Sequence, residues 1–181
     1  MQKLSDELAG VGVATFRYQF PYMEERRRVP DPPAVLTATV VAAVRAASDA
    51  APGLPLLAGG KSMGGRMTSQ AAAQQPLEVR GIVFFGFPLH PPNKPGTKRA
   101  DHLPRVTIPM LFLQGTRDAL ADLQLLRPIC AKLASRVTLH IIEGADHSFH
   151  MLKSSGRTDE QVLQELAGTA ASWAGTIKDA D

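Results

Sequence analysis

Cys130 is the only cysteine among 181 residues, which excludes an internal disulfide and fits a reducing compartment. Leu126, Ile129 and Leu133 surround it at helical spacing, so a buried structural thiol is expected. No apolar run is long enough to span a bilayer, and the first seven residues (MQKLSDE) lack the shape of a signal peptide. The expected location is the cytoplasm. Histidine and cysteine do not cluster at metal-ligand spacing, so no metal or other cofactor is expected. The charge balance is nearly even, 20 Lys and Arg against 17 Asp and Glu. With no aromatic residues interleaved among the basic ones, the footprint of a nucleic-acid binder is absent. There is no internal repeat. What is present, 44% hydrophobic and 20% charged residues, suffices for one globular domain over residues 1–181.

Apolar and β-branched runs at 11–20, 54–58, 79–87, 110–114 and 137–142 read as strands. Helical patterns alternate with them. One covers 1–9 and stops at Gly10. A second covers 31–48, with Asp31 as its cap and Pro32 and Pro33 in the first turn. A third spans 65–75. The fourth, 120–135, is interrupted at Pro128. The last opens on the capping box Thr158…Gln161. The stretch 21–30 is a solvated basic loop containing Arg26, Arg27 and Arg28. The loop 88–107 is too short and too broken by proline for a lid domain. This alternation predicts a three-layer αβα sandwich around a mostly parallel, doubly wound sheet, with function at the C-terminal ends of the strands.

Gly60-Lys61-Ser62-Met63-Gly64 reads G-x-S-x-G between a strand and a helix. In that context a sharp turn lifts the serine hydroxyl above the sheet edge, and the glycines make room for it. The backbone N–H of Met63 and the helix dipole then face a developing oxyanion. A phosphate loop, G-x-x-x-x-G-K-[ST], is the rival reading. It needs glycine five positions before Gly60, where Pro55 stands and offers no N–H. A glycine-rich turn without chemistry is the other rival, and the motif alone does not exclude it.

The loops after the last two strands carry the partners. Gly115-Thr116-Arg117-Asp118 follows one, and Glu143-Gly144-Ala145-Asp146-His147 follows the other. Ser62, Asp118 and His147 therefore each lie just past a strand, all on one sheet edge. That suits a relay in which His147 takes the serine proton and Asp118 orients the imidazole. Asp146 adjoins His147 and is expected to cap its loop instead, while Asp122 is expected to start the next helix. His90, His102, His140 and His150 are expected to be structural or exposed, although His90, with Tyr22, Met23 and Phe87, sits on loops positioned to line a substrate pocket.

On these residues the chain resembles the α/β-hydrolases, and most of all the small capless group related to dienelactone hydrolase. That group includes bacterial proteins of uncharacterised activity and relatives of a histone-acetyltransferase-complex subunit. The resemblance rests on GKSMGGR at 60–66, FPLHPP at 87–92, GTRD at 115–118, GADHSF at 144–149 and YQFPYM at 18–23, and it spans nearly the whole chain. It implies Ser62 as nucleophile, Asp118 as acid and His147 as base, with the Met63 N–H in the oxyanion hole. It also implies a strand and a His-Gly-rich loop ahead of the first helix, the loop giving a second oxyanion N–H. Neither precedes Met1. The natural protein is expected to begin upstream; the alternatives are that the flanking strands close up and pair, or that another chain supplies the strand. One missing oxyanion donor would cost roughly 10²–10³-fold in turnover.

The expected function is a serine hydrolase cleaving a small-molecule ester or thioester through an acyl-enzyme on Ser62, with no nucleic-acid or membrane partner. The alternative is a catalytically weak or inactive interaction module on the same fold.

Overall fold

Val, Ile, Phe and Leu run almost without interruption through 81–87 and 110–113, and that is where the sheet is deepest. The computed structural model describes residues 1–177. Four strands, β1 (Leu57–Lys61), β2 (Gly81–Phe85), β3 (Met110–Gly115) and β4 (Val137–Ile142), lie in the order β1-β2-β3-β4, all parallel. Every residue of β2 and β3 is buried, as expected of central parallel strands covered on both faces.

Alternation divides their side chains between two cores. Val83, Phe85, Leu111 and Leu113 meet Leu4 and Leu8 of α1 (Gln2–Gly10) and Val162, Leu166 and Trp173 of α6 (Asp159–Thr176). Ile82, Phe84, Met110 and Phe112 meet Leu126 and Cys130 of α5 (Leu123–Lys132), together with Leu103 and Val106 of the loop between β2 and β3. Helix α4 (Met63–Gln74) packs on the same side. Beyond it, α3 (Pro33–Ala50) joins Phe20 and Met67 in a third cluster. Helices thus cover both faces of the sheet. Phe84 and Phe112 pair across β2 and β3 with ring centroids 4.4 Å apart. The capping box of α6 forms as expected, with Thr158 and Gln161 each accepting from the other's backbone N–H. Among the described residues, no helix is long and apolar enough to cross a membrane.

Several expectations are corrected. Residues 11–20 form no strand. The chain turns at Val11 and Gly12, 13–20 has no regular secondary structure, and residues 14–19 make no backbone–backbone hydrogen bond among the described residues. Nor do this segment and β1 close up and pair, since a cavity of about 520 Å³ is lined by both. β-branched and aromatic residues favour a pleated surface, but a strand exists only when another backbone answers it. Pro21–Glu24 is a short helix, α2, not open loop. Asp31 does not cap α3. Pro32 holds the N-cap position, and Pro33 has no N–H to offer a cap. The Asp31 carboxylate instead accepts from the Tyr22 N–H at 2.8 Å and pairs with Arg27 at 2.5 Å. Helix α5 runs unbroken through Pro128 from Leu123 to Lys132, with Asp122 as its N-cap, and a 3₁₀ turn follows at Ala134–Arg136.

The Leu56 carbonyl accepts from Arg80 and the Ser62 N–H donates to Phe85. Even-numbered residues of β1 therefore face β2, and Leu57, Gly59 and Lys61 turn their N–H and C=O groups toward the cavity. In native-state hydrogen exchange, the Gly59 and Lys61 amides should lose protection roughly 10-fold or more faster than those of Val83 and Leu111. Equal protection would mean that the β1 edge is not free.

Candidate active site

The turn that ends β1 is tight because its residues are small. A Cβ on Gly65 would sit 2.7 Å from the Gly60 carbonyl oxygen, closer than any side chain tolerates. Ser62, between strand and helix, is held at φ 54° and ψ −120°, a backbone conformation that costs a non-glycine residue of order 1–3 kcal/mol. Its N–H donates to the Phe85 carbonyl at 3.2 Å, which ties the turn to the end of β2. Met63 is the first residue of α4, and its N–H has no backbone acceptor among the described residues. It is therefore available to an anion at the positive end of the helix.

Asp118 and His147 are brought together. His147 Nδ1 lies 2.7 Å from Asp118 Oδ2, with the carboxylate side chain fully buried and the imidazole 21% exposed. A carboxylate only accepts, so Nδ1 carries the proton and Nε2 keeps its lone pair. That Nε2 is buried and has no hydrogen-bond partner. The two loops are stitched to each other. The Arg117 N–H donates to the Ala145 carbonyl at 2.9 Å, and the Gly144 N–H donates to Thr116 Oγ1 at 2.8 Å. Asp146 caps its own loop, Oδ1 accepting from the N–H groups of Ser148 and His150.

Ser62 and His147 flank the same short turn. Gly86, at φ +75°, lies under the imidazole, and a Cβ there would be 3.4 Å from His147 Nδ1. The residue before it holds the Ser62 N–H. Lys61 Nζ donates to Ser148 Oγ at 3.2 Å, so the neighbours of Ser62 and His147 also touch. The Ser62 hydroxyl and His147 are not hydrogen-bonded in this resting state, among the described residues. Serine and histidine in such an arrangement, with a carboxylate behind, can carry out nucleophilic attack with general-base assistance.

Of the pocket-lining candidates, Tyr22 and Met23 line the cavity together with Ser62 and Met63. Phe87 and His90 do not. Phe87 is completely buried against Phe84 and Phe112. His90 is 5% exposed. Its Nε2 accepts from the Asp122 N–H at 2.9 Å and its Nδ1 donates to the Pro91 carbonyl at 2.9 Å, so it braces two loops. Among the described residues no group of His, Cys, Asp and Glu is arranged to hold a metal ion.

Sequence reasoning passed over Gln114. It is the one polar side chain in the buried strand β3, and that isolation was its signal. It passed over a second Ser–His pair as well, Ser69 Oγ and His102 Nε2 at 2.7 Å. Ser69 has no exposed surface, and no carboxylate is hydrogen-bonded to His102 among the described residues, so the pair fastens α4 to the β2–β3 loop. Burial, with Arg105 and Arg66 nearby, pushes the His102 pKa from 6.5 down to about 4.

The profile of the alpha/beta hydrolase domain family matches residues 1–175. Solved structures share the fold. An alpha-beta serine hydrolase homologue from Coxiella burnetii is 18% identical with a TM-score of 0.72, over 93% of this chain and 74% of that one. A serine hydrolase without a lid from Xanthomonas campestris is 20% identical with a TM-score of 0.72, over 95% and 72%. A dienelactone hydrolase from Anabaena variabilis is 22% identical with a TM-score of 0.65, over 95% and 76%.

His102 sets a pH dependence. Its folded pKa of about 4 lies below the ordinary 6.5, so between those values only the unfolded chain takes up the proton. The contribution is whole above pH 6.5 and is lost as pH falls toward 4. Urea midpoints should show a loss of roughly 2 kcal/mol between pH 7 and 4.5 from this group. His102→Gln should flatten that part of the curve; an unchanged acid slope in the variant would assign it to other groups.

Proposed function

We propose, from the premise that this chain belongs to the alpha/beta hydrolase domain family, that it is a serine hydrolase cleaving a small ester or thioester. The observation that carries this reading is a buried, unpartnered His147 Nε2 whose Nδ1 is bound to a buried carboxylate, across one turn from a strained Ser62. In the proposed reaction Ser62 Oγ attacks the acyl carbonyl while His147 Nε2 takes its proton. The Met63 N–H receives the developing oxyanion. The bond to the leaving group breaks as His147 returns the proton to the departing oxygen or sulfur, and the acyl-enzyme remains. Water then gives its proton to His147, attacks the ester carbon and releases the acid, and the proton returns to Ser62. Asp118 stays ionised and stabilises the imidazolium. Likeness to a lidless serine hydrolase and to a dienelactone hydrolase supports an open site and carboxylic ester or lactone substrates, with Tyr22 and Met23 against the acyl group.

A second reading, an interaction module that keeps the fold without turnover, is favoured by a β1 edge that pairs with no second strand among the described residues and by Phe16, 51% exposed and lining the same cavity as β1. One experiment separates the two. A fluorophosphonate probe should add once to the parent and not at all to Ser62→Ala, and the variant should lose about 10³-fold or more in p-nitrophenyl acetate turnover. A folded parent that takes no label, or turnover unchanged in the variant, would favour the interaction module over the hydrolase.

A further inference from the structure

Gln114 occupies a position that apolar side chains otherwise hold. It follows Met110-Leu111-Phe112-Leu113 in β3 and has no exposed surface. Burying an amide is costly unless all its polar atoms are answered, so its partners reveal its purpose. Gln114 Oε1 accepts from the Phe87 N–H at 2.9 Å, and Gln114 Nε2 donates to Asp118 Oδ2 at 2.5 Å. A backbone donor on one side and a carboxylate on the other allow only this orientation of the amide.

The two bonds close a circuit. The Ser62 N–H is bound to the Phe85 carbonyl; Phe85, Gly86 and Phe87 are consecutive; the Phe87 N–H is bound to Gln114; Gln114 is bound to Asp118; and Asp118 is bound to His147. Gly86 is also fixed, its N–H donating to the Leu113 carbonyl at 2.9 Å. The Gly86–Leu113 bond and the Lys61–Ser148 bond also join these parts, but the Gln114 link is buried and ends on the Asp118 carboxylate itself. Asp118 Oδ1 is occupied by the Leu120 N–H at 2.7 Å, so the Gln114 bond also determines where Oδ2 is presented to the imidazole.

We propose that Gln114 is a positioning residue for the reaction: it references the Asp118–His147 pair to the Ser62 turn through the Phe85–Gly86–Phe87 backbone. This rests on the serine-hydrolase reading above. Gln114 touches no substrate and exchanges no proton, so its removal acts on kcat and leaves KM in place.

The test uses Gln114→Met, which keeps length and volume, and Gln114→Glu, which keeps the acceptor for Phe87 and loses the donor to Asp118. With p-nitrophenyl acetate, Gln114→Met should lose about 10–100-fold in kcat with KM within about 2-fold of the parent. The ratio of Gln114→Glu to parent turnover should rise as pH falls, because only the protonated acid donates to Asp118. On the resting proteins, the downfield Nδ1 proton resonance of His147 should move or broaden in both variants. This last readout needs no substrate, so it stands whether or not Ser62 is the nucleophile, and Ser62→Ala run in parallel tests that separately. An unmoved resonance in a folded Gln114→Glu, or a Gln114→Met deficit that lies in KM alone, would overturn the positioning role. If Gln114→Met does not fold, Gln114→Glu alone decides, since it leaves the Phe87 N–H satisfied.

Discussion

A carboxylate with no solvent contact has to be met by donors, and the C-terminal edge of this sheet is arranged around meeting one. The Leu120 N–H, the Gln114 amide and the His147 imidazole all point at Asp118. All three are donors, so both carboxylate oxygens are met by hydrogen bonds. Each donor also belongs to a different strand-end loop or strand. Satisfying the charge therefore draws the ends of β3 and β4 together, and Gln114 extends the same network to β2.

The two cores make that edge rigid enough to matter. β2 and β3 send alternate residues into separate layers, α1 and α6 on one side and α4 and α5 on the other, so neither strand can slip without moving both. Gly115 shows how close the fit is at the working end. A Cβ there would lie 2.3 Å from the Ala145 carbonyl oxygen, so the acid loop and the histidine loop approach to a distance that only glycine permits.

Much of this was legible in the sequence, because chemistry on this fold follows strand ends. Ser62, Asp118 and His147 each stand just beyond a strand; the runs at 110–114 and 137–142 are strands as read, whereas the run at 54–58 is strand only from Leu57, and β1 continues through Gly59 and Gly60 to Lys61. The failures share one cause: a pattern names a residue's preference but not its partner. Residues 11–20 have strand propensity and find no backbone to pair with. Asp31 has the right position for a cap, but its carboxylate is taken by the Tyr22 N–H and by Arg27. Phe87 reads as a loop aromatic near the pocket. The positive φ of Gly86 breaks the two-residue alternation, so Phe87 falls on the same side as Phe84 and enters the core. His90 was one of several loop histidines until the Asp122 N–H claimed its Nε2. Gln114 was visible as a lone polar letter in MLFLQ, yet nothing local says which two groups it joins.

β1 is the strand that leads into Ser62, the proposed nucleophile, and it is also the poorest in side chains. It reads Leu-Ala-Gly-Gly-Lys, has one neighbouring strand among the described residues, and is nowhere fully buried. β2 and β3, which hold the acid and the network behind it, are buried throughout. Local opening therefore has its lowest cost where the serine is mounted and a high one where the acid–base pair is mounted. Heating would detach the Ser62 turn from Phe85 while both cores stay intact, so the site would come apart before the chain melts, and cooling would restore it without refolding the domain.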